Sequence, residues 1–183
     1  MRSALQILGF FEDEDIAWMI DYGYKKIFSK GENVIANGQN VKELYMVLDG
    51  VLNVETPEGK VVTQLQQGDI LGEMSFVEDK TPNVDVNCSE DTKLLCLAHE
   101  ALRAYFKNCP YFEARFYKAI SLFLSGRLRS VQDHFNSFFI SSSDEPAISE
   151  EYKFFQNKSC DDECLDHLHI AGERFNKIIS HFQ

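Results

Sequence analysis

Positive charge is scarce in this sequence. Lysine and arginine total 18 against 29 aspartates and glutamates, which leaves a formal net charge of −11. A basic patch is the usual footprint of a protein that binds nucleic acid or an anionic membrane, so we expect neither partner. Apolar runs near 20 residues, the length that a membrane-spanning helix needs, are also missing. The start of the chain lacks the basic, apolar and small-residue order of a secretory signal. We therefore expect a cytoplasmic protein.

Cysteine and catalytic motifs are sparse as well. The five cysteines are odd in number and scattered, which excludes a disulfide framework of the kind that small secreted domains use. Cys160, Cys164 and His167 would share one face of a helix, but a fourth ligand is not obvious, so we interpret them as helix surface and predict no metal. His99 is isolated and is interpreted as an ordinary surface or core residue. No nucleophile with its base and no pair of catalytic carboxylates emerges, so no enzymatic activity is predicted.

Short apolar runs are what the sequence does contain, between about residues 25 and 98. Glycines fall at or near the ends of these runs, where tight turns need a positive φ. They are Gly31, Gly38, Gly50, Gly59, Gly68 and Gly72. Regularly spaced short strands with such turns predict an antiparallel sandwich or rolled barrel rather than a parallel sheet with crossover helices.

Helical spacing flanks this β region. Residues 1–23 suit short amphipathic helices, and after a break near Pro110 a long helix is predicted over about 111–139. The expected class is therefore α+β. A polar stretch then leads into residues 141–183, where one or two amphipathic helices are expected in an acidic extension.

The long helix carries an apolar stripe. Its members are spaced four, three, four and three residues apart, and they are Leu124, Leu128, Val131, Phe135 and Phe138. Such a stripe packs either on its own β domain or on the same helix of a second copy. We favour the second interpretation, a homodimer through residues 113–139.

Several motifs, in this order, carry a family resemblance. They are Ser29-Lys30-Gly31-Glu32 followed by Gly38, the run from Leu44 to Val54, Leu65 with Gly68-Asp69, and Leu71-Gly72-Glu73-Met74-Ser75. Together with the long helix that follows, they resemble the cyclic-nucleotide-binding domain family, and in particular the sensor half of catabolite-activator-type regulators. The resemblance covers about residues 1–140. It implies a jelly-roll-like β-roll over about 25–98, a short cassette helix after the Gly-Glu motif, and a long helix that covers the pocket or forms the dimer.

The resemblance also implies a ligand site, with cyclic AMP or cyclic GMP as the possible ligand. Glu73 would accept the ribose hydroxyl, while Gly72, Met74 and Ser75 would supply backbone approach and amide donors. The arginine with which the family binds the phosphate is absent: counting from Glu73 without gaps places Pro82 at its position, and aligning on the preceding proline places Asn83 there. Neither side chain carries a charge.

The missing arginine changes the expected function. Loss of a buried charged partner costs about 2 to 5 kcal/mol of binding free energy, so we predict that cyclic nucleotide binding is weakened or lost. The alternatives are a genuine receptor that recognises the phosphate differently and an adaptor that works through protein contacts. In each case the chain is a non-enzymatic regulatory module.

The tail argues against direct DNA binding. Regulators that resemble this chain continue with a helix-turn-helix module of about 70 residues, and about 40 remain here. Residues 141–183 contain nine acidic and four basic residues, the wrong balance for a DNA-binding face. This extension is expected to pack back on the domain, to join a dimer or to bind a protein partner.

Overall fold

The computed structural model describes residues 7–140 and 162–182, and for 130, 131, 133–140 and 162–168 it describes the backbone alone. The helices are α1 (Asp13–Tyr22), α2 (Glu73–Glu78), α3 (His99–Asn108), α4 (Pro110–Ile140) and α5 (Asp162–Phe182). The strands are β1 (Tyr24–Phe28), β2 (Asn33–Ile35), β3 (Glu43–Asp49), β4 (Val51–Glu55), β5 (Val61–Gln66), β6 (Ile70–Leu71), β7 (Asp85–Cys88) and β8 (Thr92–Ala98).

The strands form two antiparallel sheets that enclose a β-roll. One sheet has the order β1-β8-β3-β6 and the other the order β2-β7-β4-β5. The chain moves repeatedly from one sheet to the other, which is how a rolled barrel covers most of its strand edges. The predicted class is confirmed: an α+β fold in which a jelly-roll-like antiparallel β-roll is flanked by N-terminal helices and a long C-terminal helix.

Strands β3 and β8 are buried on both faces. Alternation along a strand sends successive side chains to opposite sides of the sheet, so each of these strands supplies two hydrophobic cores. The core inside the roll receives Tyr45, Val47, Leu94 and Cys96. The core under the helices receives Leu44, Met46, Leu95 and Leu97.

A cluster of aromatic rings joins the short cassette helix α2 to the longer helices. Phe76 of α2 is 1% exposed, and its ring centroid lies 5.9 Å from that of Phe106 in α3 and 5.4 Å from that of Phe116 in α4. The three rings meet edge-on or tilted, as aromatic quadrupoles prefer. Helix α2 is therefore held in place by its packing, although it is only six residues long.

Two arginines from distant parts of the chain form hydrogen bonds and ion pairs with the amino-terminal end of helix α1. Arg115 of α4 donates from Nε and Nη2 to the two carboxylate oxygens of Asp15, each at 3.0 Å, and Asp15 is 1% exposed. Arg174 of α5 donates to Asp13 and to the backbone carbonyl of Leu8 at 3.1 Å. These pairs satisfy acidic groups at the amino-terminal end of α1, where the helix dipole also favours negative charge.

The C-terminal helix α5 lies against the domain. Ala171, Phe175 and Ile178 are buried in the same core as the N-terminal helices, so the described part of the extension packs back, as one of the expected arrangements requires. Across the described ranges, no helix combines the length and the apolar character needed to cross a bilayer.

The apolar stripe of α4 is described in part. Leu124 is partly buried against the core, whereas Leu128 is 59% exposed. The side chains of Val131, Phe135 and Phe138 lie outside the described residues. Of the two stripe residues whose side chains are described, Leu124 contacts the core and Leu128 does not. The homodimer through 113–139 stays a prediction.

Replacing Ile178 by alanine tests the packing of α5. Ile178 is fully buried, and removal of such a side chain costs about 2 to 5 kcal/mol of unfolding free energy because it leaves a cavity. Ile170, in the same helix, is 39% exposed, so Ile170→Ala should change stability by less than about 1 kcal/mol. Urea unfolding followed by circular dichroism measures both variants, and equal effects would contradict the docking of α5.

Candidate functional site

The predicted cassette begins at a turn that only glycine fits. Gly72 has φ +88°, and a Cβ at this position would lie 2.6 Å from the backbone oxygen of Glu43. The carbonyl of Gly72 accepts the amide of Phe76 at 3.1 Å and so closes the first turn of α2. The sequence Gly-Glu-Met-Ser therefore turns sharply out of β6 and starts a helix against β3, as the resemblance implies.

Glu73, the first residue of α2, does not point to open solvent. Its side chain is 3% exposed, and Oε1 accepts a hydrogen bond at 2.5 Å from Nη1 of Arg127, which projects from the long helix α4. The same guanidinium donates from Nη2 to the carbonyl of Ile70 at 3.3 Å and stacks 4.4 Å above the ring centroid of Phe123. The long helix thus reaches the cassette through one charged contact that an aromatic ring supports.

Burial and the ion pair act on Glu73 in opposite directions. Removal from water raises the pKa of this carboxyl above its ordinary value, and the positive charge of Arg127 partly offsets that rise. Arg127 itself is 39% exposed in its side chain and keeps contact with water. The buried carboxylate consequently depends on Arg127 more than Arg127 depends on the carboxylate.

The segment expected to hold the phosphate is tied to a neighbouring loop. The backbone oxygen of Pro82 accepts the amide of Gly38 at 2.9 Å, and the carboxylate of Asp85 accepts the amide of Asn37 at 3.0 Å. Asn83 is exposed. These contacts use neutral groups and one carboxylate, so the segment brings no positive charge to the start of α2.

Asp85 lies on the outer face of its strand. In β7 the buried positions are Val86 and Cys88, which face the interior of the roll, while Asp85 and Asn87 alternate with them. The negative charge of Asp85 therefore points away from the interior. Lys80, the nearest basic residue in sequence, is 76% exposed in its side chain and pairs at 3.1 Å with Glu78.

The candidate residues thus fall into two groups. Gly72, Glu73 and Ser75 lie at the start of α2, with Met74 beside them but 54% exposed. Pro82 and Asn83 lie in the loop that leads into β7. The structure places Arg127 next to the first group.

A polar cleft of about 420 Å³ is lined by residues 33–36, 39–43 and 45 and lies beside the cassette, since the backbone of Gly72 is against Glu43. Among the residues that line the cleft, Glu43 supplies the carboxylate, which accepts bonds from Lys26 at 2.9 and 3.1 Å and from the hydroxyl of Tyr24. The cleft shares no residue with the cassette. Because Glu43 already has its partners, we interpret this cluster as structural.

Metal ligands are not grouped in the described part of the chain, where no set of three or more histidine, cysteine, aspartate or glutamate side chains converges. The predicted surface cluster of Cys160, Cys164 and His167 lies outside the residues whose side chains are described.

Arg127 is the site residue that sequence reasoning missed. Phe116, Ile120 and Phe123 face the core at intervals of four and three, and a further step of four reaches Arg127. An arginine at a position where helical spacing expects an apolar residue indicates that its guanidinium has a polar or acidic partner nearby. That signal was available in the sequence, but it did not identify Glu73 as the partner.

Neutralising Arg127 should destabilise the fold in a pH-dependent way. At pH 7, Arg127→Gln leaves a buried carboxylate without its charged partner, which costs about 1 to 3 kcal/mol after allowance for the exposure of the arginine. The pKa of Glu73 is already raised, so its favourable effect on folding is present below the unfolded pKa and is lost as the pH rises through the folded pKa. Without Arg127 that loss grows, and the cost of the substitution should be larger at pH 7 than at pH 4.

Glu73→Gln is the matched control. It removes the costly buried charge and leaves Arg127 free to return to water, so at pH 7 it should cost less than Arg127→Gln. Guanidinium unfolding at pH 4 and pH 7 measures both variants. A pH-independent cost for Arg127→Gln would contradict the charge pairing with Glu73 as its source.

Comparison with known proteins agrees with this geometry. The family model for the cyclic nucleotide-binding domain matches residues 25–109. No curated protein matches the chain.

Three solved structures share the fold. A cyclic nucleotide-binding domain from Methylobacillus flagellatus superposes with a TM-score of 0.64 at 19% identity, covering 78% of this chain and 85% of that one. The N-terminal domain of a transcriptional regulator from Streptomyces coelicolor has a TM-score of 0.57 at 20% identity, covering 70% and 91%. The catabolite activator protein of Thermus thermophilus has a TM-score of 0.59 at 18% identity, covering 93% and 83%. The predicted resemblance is confirmed as a match of residues 25–109 to the cyclic nucleotide-binding domain model, in a chain that has the fold of these solved structures.

Proposed function

We propose that this chain is a non-enzymatic regulatory module of the cytoplasm in which the cyclic nucleotide-binding fold persists while its response to cyclic nucleotide is weakened or lost. One observation carries the proposal: Glu73, the carboxylate expected to accept the ribose, is buried against Arg127 of the protein itself. The negative charge of Glu73 is thereby compensated by an arginine of the same chain instead of by a ligand.

Phosphate recognition supports the same proposal. Residues 72–85 contain four acidic residues and one lysine, and that lysine pairs with Glu78 on the surface. A cyclic phosphate that enters a buried site needs a fixed cation to offset the loss of its hydration. Here it would meet uncharged Pro82 and Asn83 instead.

Ribose recognition carries a second cost. To accept a sugar hydroxyl, Glu73 must give up or share the hydrogen bond from Arg127. A neutral hydroxyl replaces a charged partner poorly, because a bond between two charged groups is about twice as strong as a neutral one. A loss of 1.4 kcal/mol lowers affinity about tenfold. The missing arginine and this exchange together therefore raise the dissociation constant far above the micromolar range.

The rival function is a receptor that recognises the phosphate in a different way. The position of Arg127 favours it over other rivals, since this guanidinium lies beside the start of α2 and is 39% exposed. In such a receptor Arg127 would turn from Glu73 to the phosphate, and Glu73 would be released to the ribose.

Titration calorimetry with cyclic AMP, cyclic GMP and a cyclic dinucleotide tests the proposal. We expect no saturable heat from the wild-type chain up to about millimolar nucleotide. Asn83→Arg and, separately, Pro82→Arg restore a planar cation to the loop, and at least one of them should gain affinity by about thirtyfold or more. Asn83→Gln, which adds length without charge, is the control and should gain nothing.

The outcomes separate the three functions. Micromolar binding by the wild type would refute the proposal, and its loss in Arg127→Gln would establish the rival receptor. Failure of the wild type together with gain in an arginine variant supports a degenerate cassette. If every variant fails while remaining folded, the remaining function is an adaptor that works through protein contacts, with the extension 141–183 as its candidate surface.

We also propose that the module is a homodimer through α4. Leu128 is 59% exposed on the predicted stripe, so the single chain leaves this part of the stripe open to a second copy. A leucine exposed to this degree on an amphipathic stripe gains about 1.5 to 3 kcal/mol if it is fully buried.

Light scattering coupled to gel filtration tests the dimer. The wild type should have the mass of two chains at micromolar concentration, and Leu128→Asp should have the mass of one. Leu122→Asp is the control, because Leu122 is also exposed, at 47%, but lies six positions away and off the stripe. A monomeric wild type, or equal dissociation in both variants, would refute the homodimer through α4.

A further inference from the structure

A histidine lies directly under the cassette helix. His99 is the first residue of α3, and its imidazole meets the ring of Phe76 edge-on at 4.9 Å between centroids. Its backbone amide donates to the carbonyl of Lys42 at 2.8 Å. His99 therefore contacts α2 while it is anchored to the residue that precedes β3.

The environment of this imidazole opposes a positive charge in three ways. Its Nε2 atom is buried and has no hydrogen-bond partner among the described residues, so a proton added there would lie in a dry site without an acceptor. The imidazole also lies at the amino-terminal end of α3, where the helix dipole is positive. The third opposing group is Arg103, one helical turn further along α3.

Arg103 and His99 enclose the same phenylalanine. The guanidinium of Arg103 lies 4.8 Å from the ring centroid of Phe76 and donates to the backbone oxygen of Phe76 at 3.2 Å and to Asp79 at 2.5 Å. A protonated imidazole would therefore place a second cation against a ring and a helix end that already hold one.

The charged groups around His99 can be compared element by element. In α3, Arg103 opposes protonation; in α2, Asp79 favours it, but Asp79 is paired with Arg103. In β3, a hydrogen bond with the backbone of Glu43 also favours it. Burial is the largest effect, followed by Arg103, and together they lower the pKa of His99 below its ordinary value of 6.5.

We propose that His99 is a proton-sensitive wedge that holds the cassette helix α2 in place while neutral and loosens it when protonated. With a lowered pKa, the contribution of His99 to stability is present above the unfolded value of 6.5 and is lost as the pH falls below it. Protonation of His99 thus weakens the contact between α3 and the Phe76 side of α2. The wedge is independent of whether a nucleotide binds.

Hydrogen exchange and histidine NMR of the full chain test the wedge. Exchange of the α2 amides, residues 73–78, is compared between pH 7.5 and 5 after correction for intrinsic rates. At a pH low enough for His99 to be protonated in both the closed and the open state, the equilibrium constant for opening should have reached its full increase. That increase is about tenfold for each unit by which the folded pKa of His99 lies below 6.5. The imidazole signal assigned to His99 should titrate over the same range as α2 opens.

His99→Gln separates this effect from the titration of Glu73, which also lies in α2. The variant retains Glu73, so the difference between wild type and His99→Gln isolates the imidazole. We expect the acid-induced opening of α2 to shrink in His99→Gln and to persist in His169→Gln, whose side chain is 78% exposed in the wild type.

A second variant keeps the proposal testable if His99→Gln does not fold. Arg103→Gln removes the neighbouring cation, so His99 should titrate at higher pH and the opening midpoint should move upward with it. Acid-induced opening that is identical in wild type and His99→Gln, or an Arg103→Gln midpoint that does not move, would overturn the wedge.

Discussion

The burial of strands β3 and β8 on both faces is the constraint on which the rest of the structure depends. These two strands form one wall shared by the roll and by the helical layer, and five of the seven positions in each strand are buried. A residue that moves in one core therefore moves the boundary of the other, because close-packed interiors transmit displacement. The cassette is attached to this wall by β6, which pairs with β3 at Tyr45 and Met46, and by Gly72, whose backbone lies against Glu43.

Against that wall, the cassette helix is held by side chains on three sides. Phe76 anchors it in the aromatic cluster, Arg103 binds its carboxyl end, and Arg127 binds the carboxylate at its beginning. Six residues could not form a stable helix in water by themselves, so the position of α2 follows from these partners. One of these partners, Arg127, comes from the long helix α4. The position of the cassette helix thus depends in part on the ion pair between Glu73 and Arg127 of the long helix.

Local patterns predicted most of the fold, and long-range pairing explains what they missed. Glycines at positive φ, such as Gly50 and Gly68, together with alternating apolar runs, marked the strands and turns, because these features depend on the conformation of single residues. The cassette helix after the Gly-Glu motif was predicted from the family resemblance, and the structure contains it at Glu73–Glu78. The partner of Glu73 could not be read in this way, since Arg127 is 54 positions away and the sequence offers several arginines along α4. Likewise His99 looked ordinary, because its orphan nitrogen results from packing against Phe76 and has no signature in the neighbouring residues.

The hydrogen bonds that Arg115 and Arg174 donate to the amino-terminal segment can form only late in synthesis. The partner of Asp15 is Arg115, which lies 100 positions later in the chain, and the partner of the Leu8 carbonyl is Arg174, 166 positions later. Since synthesis proceeds from the amino terminus, the first helical residues leave the ribosome long before their partners exist. Leu8, Phe11 and Ile16, all buried in the folded protein, therefore stay exposed on the nascent chain until α4 and α5 have been made and pack against them.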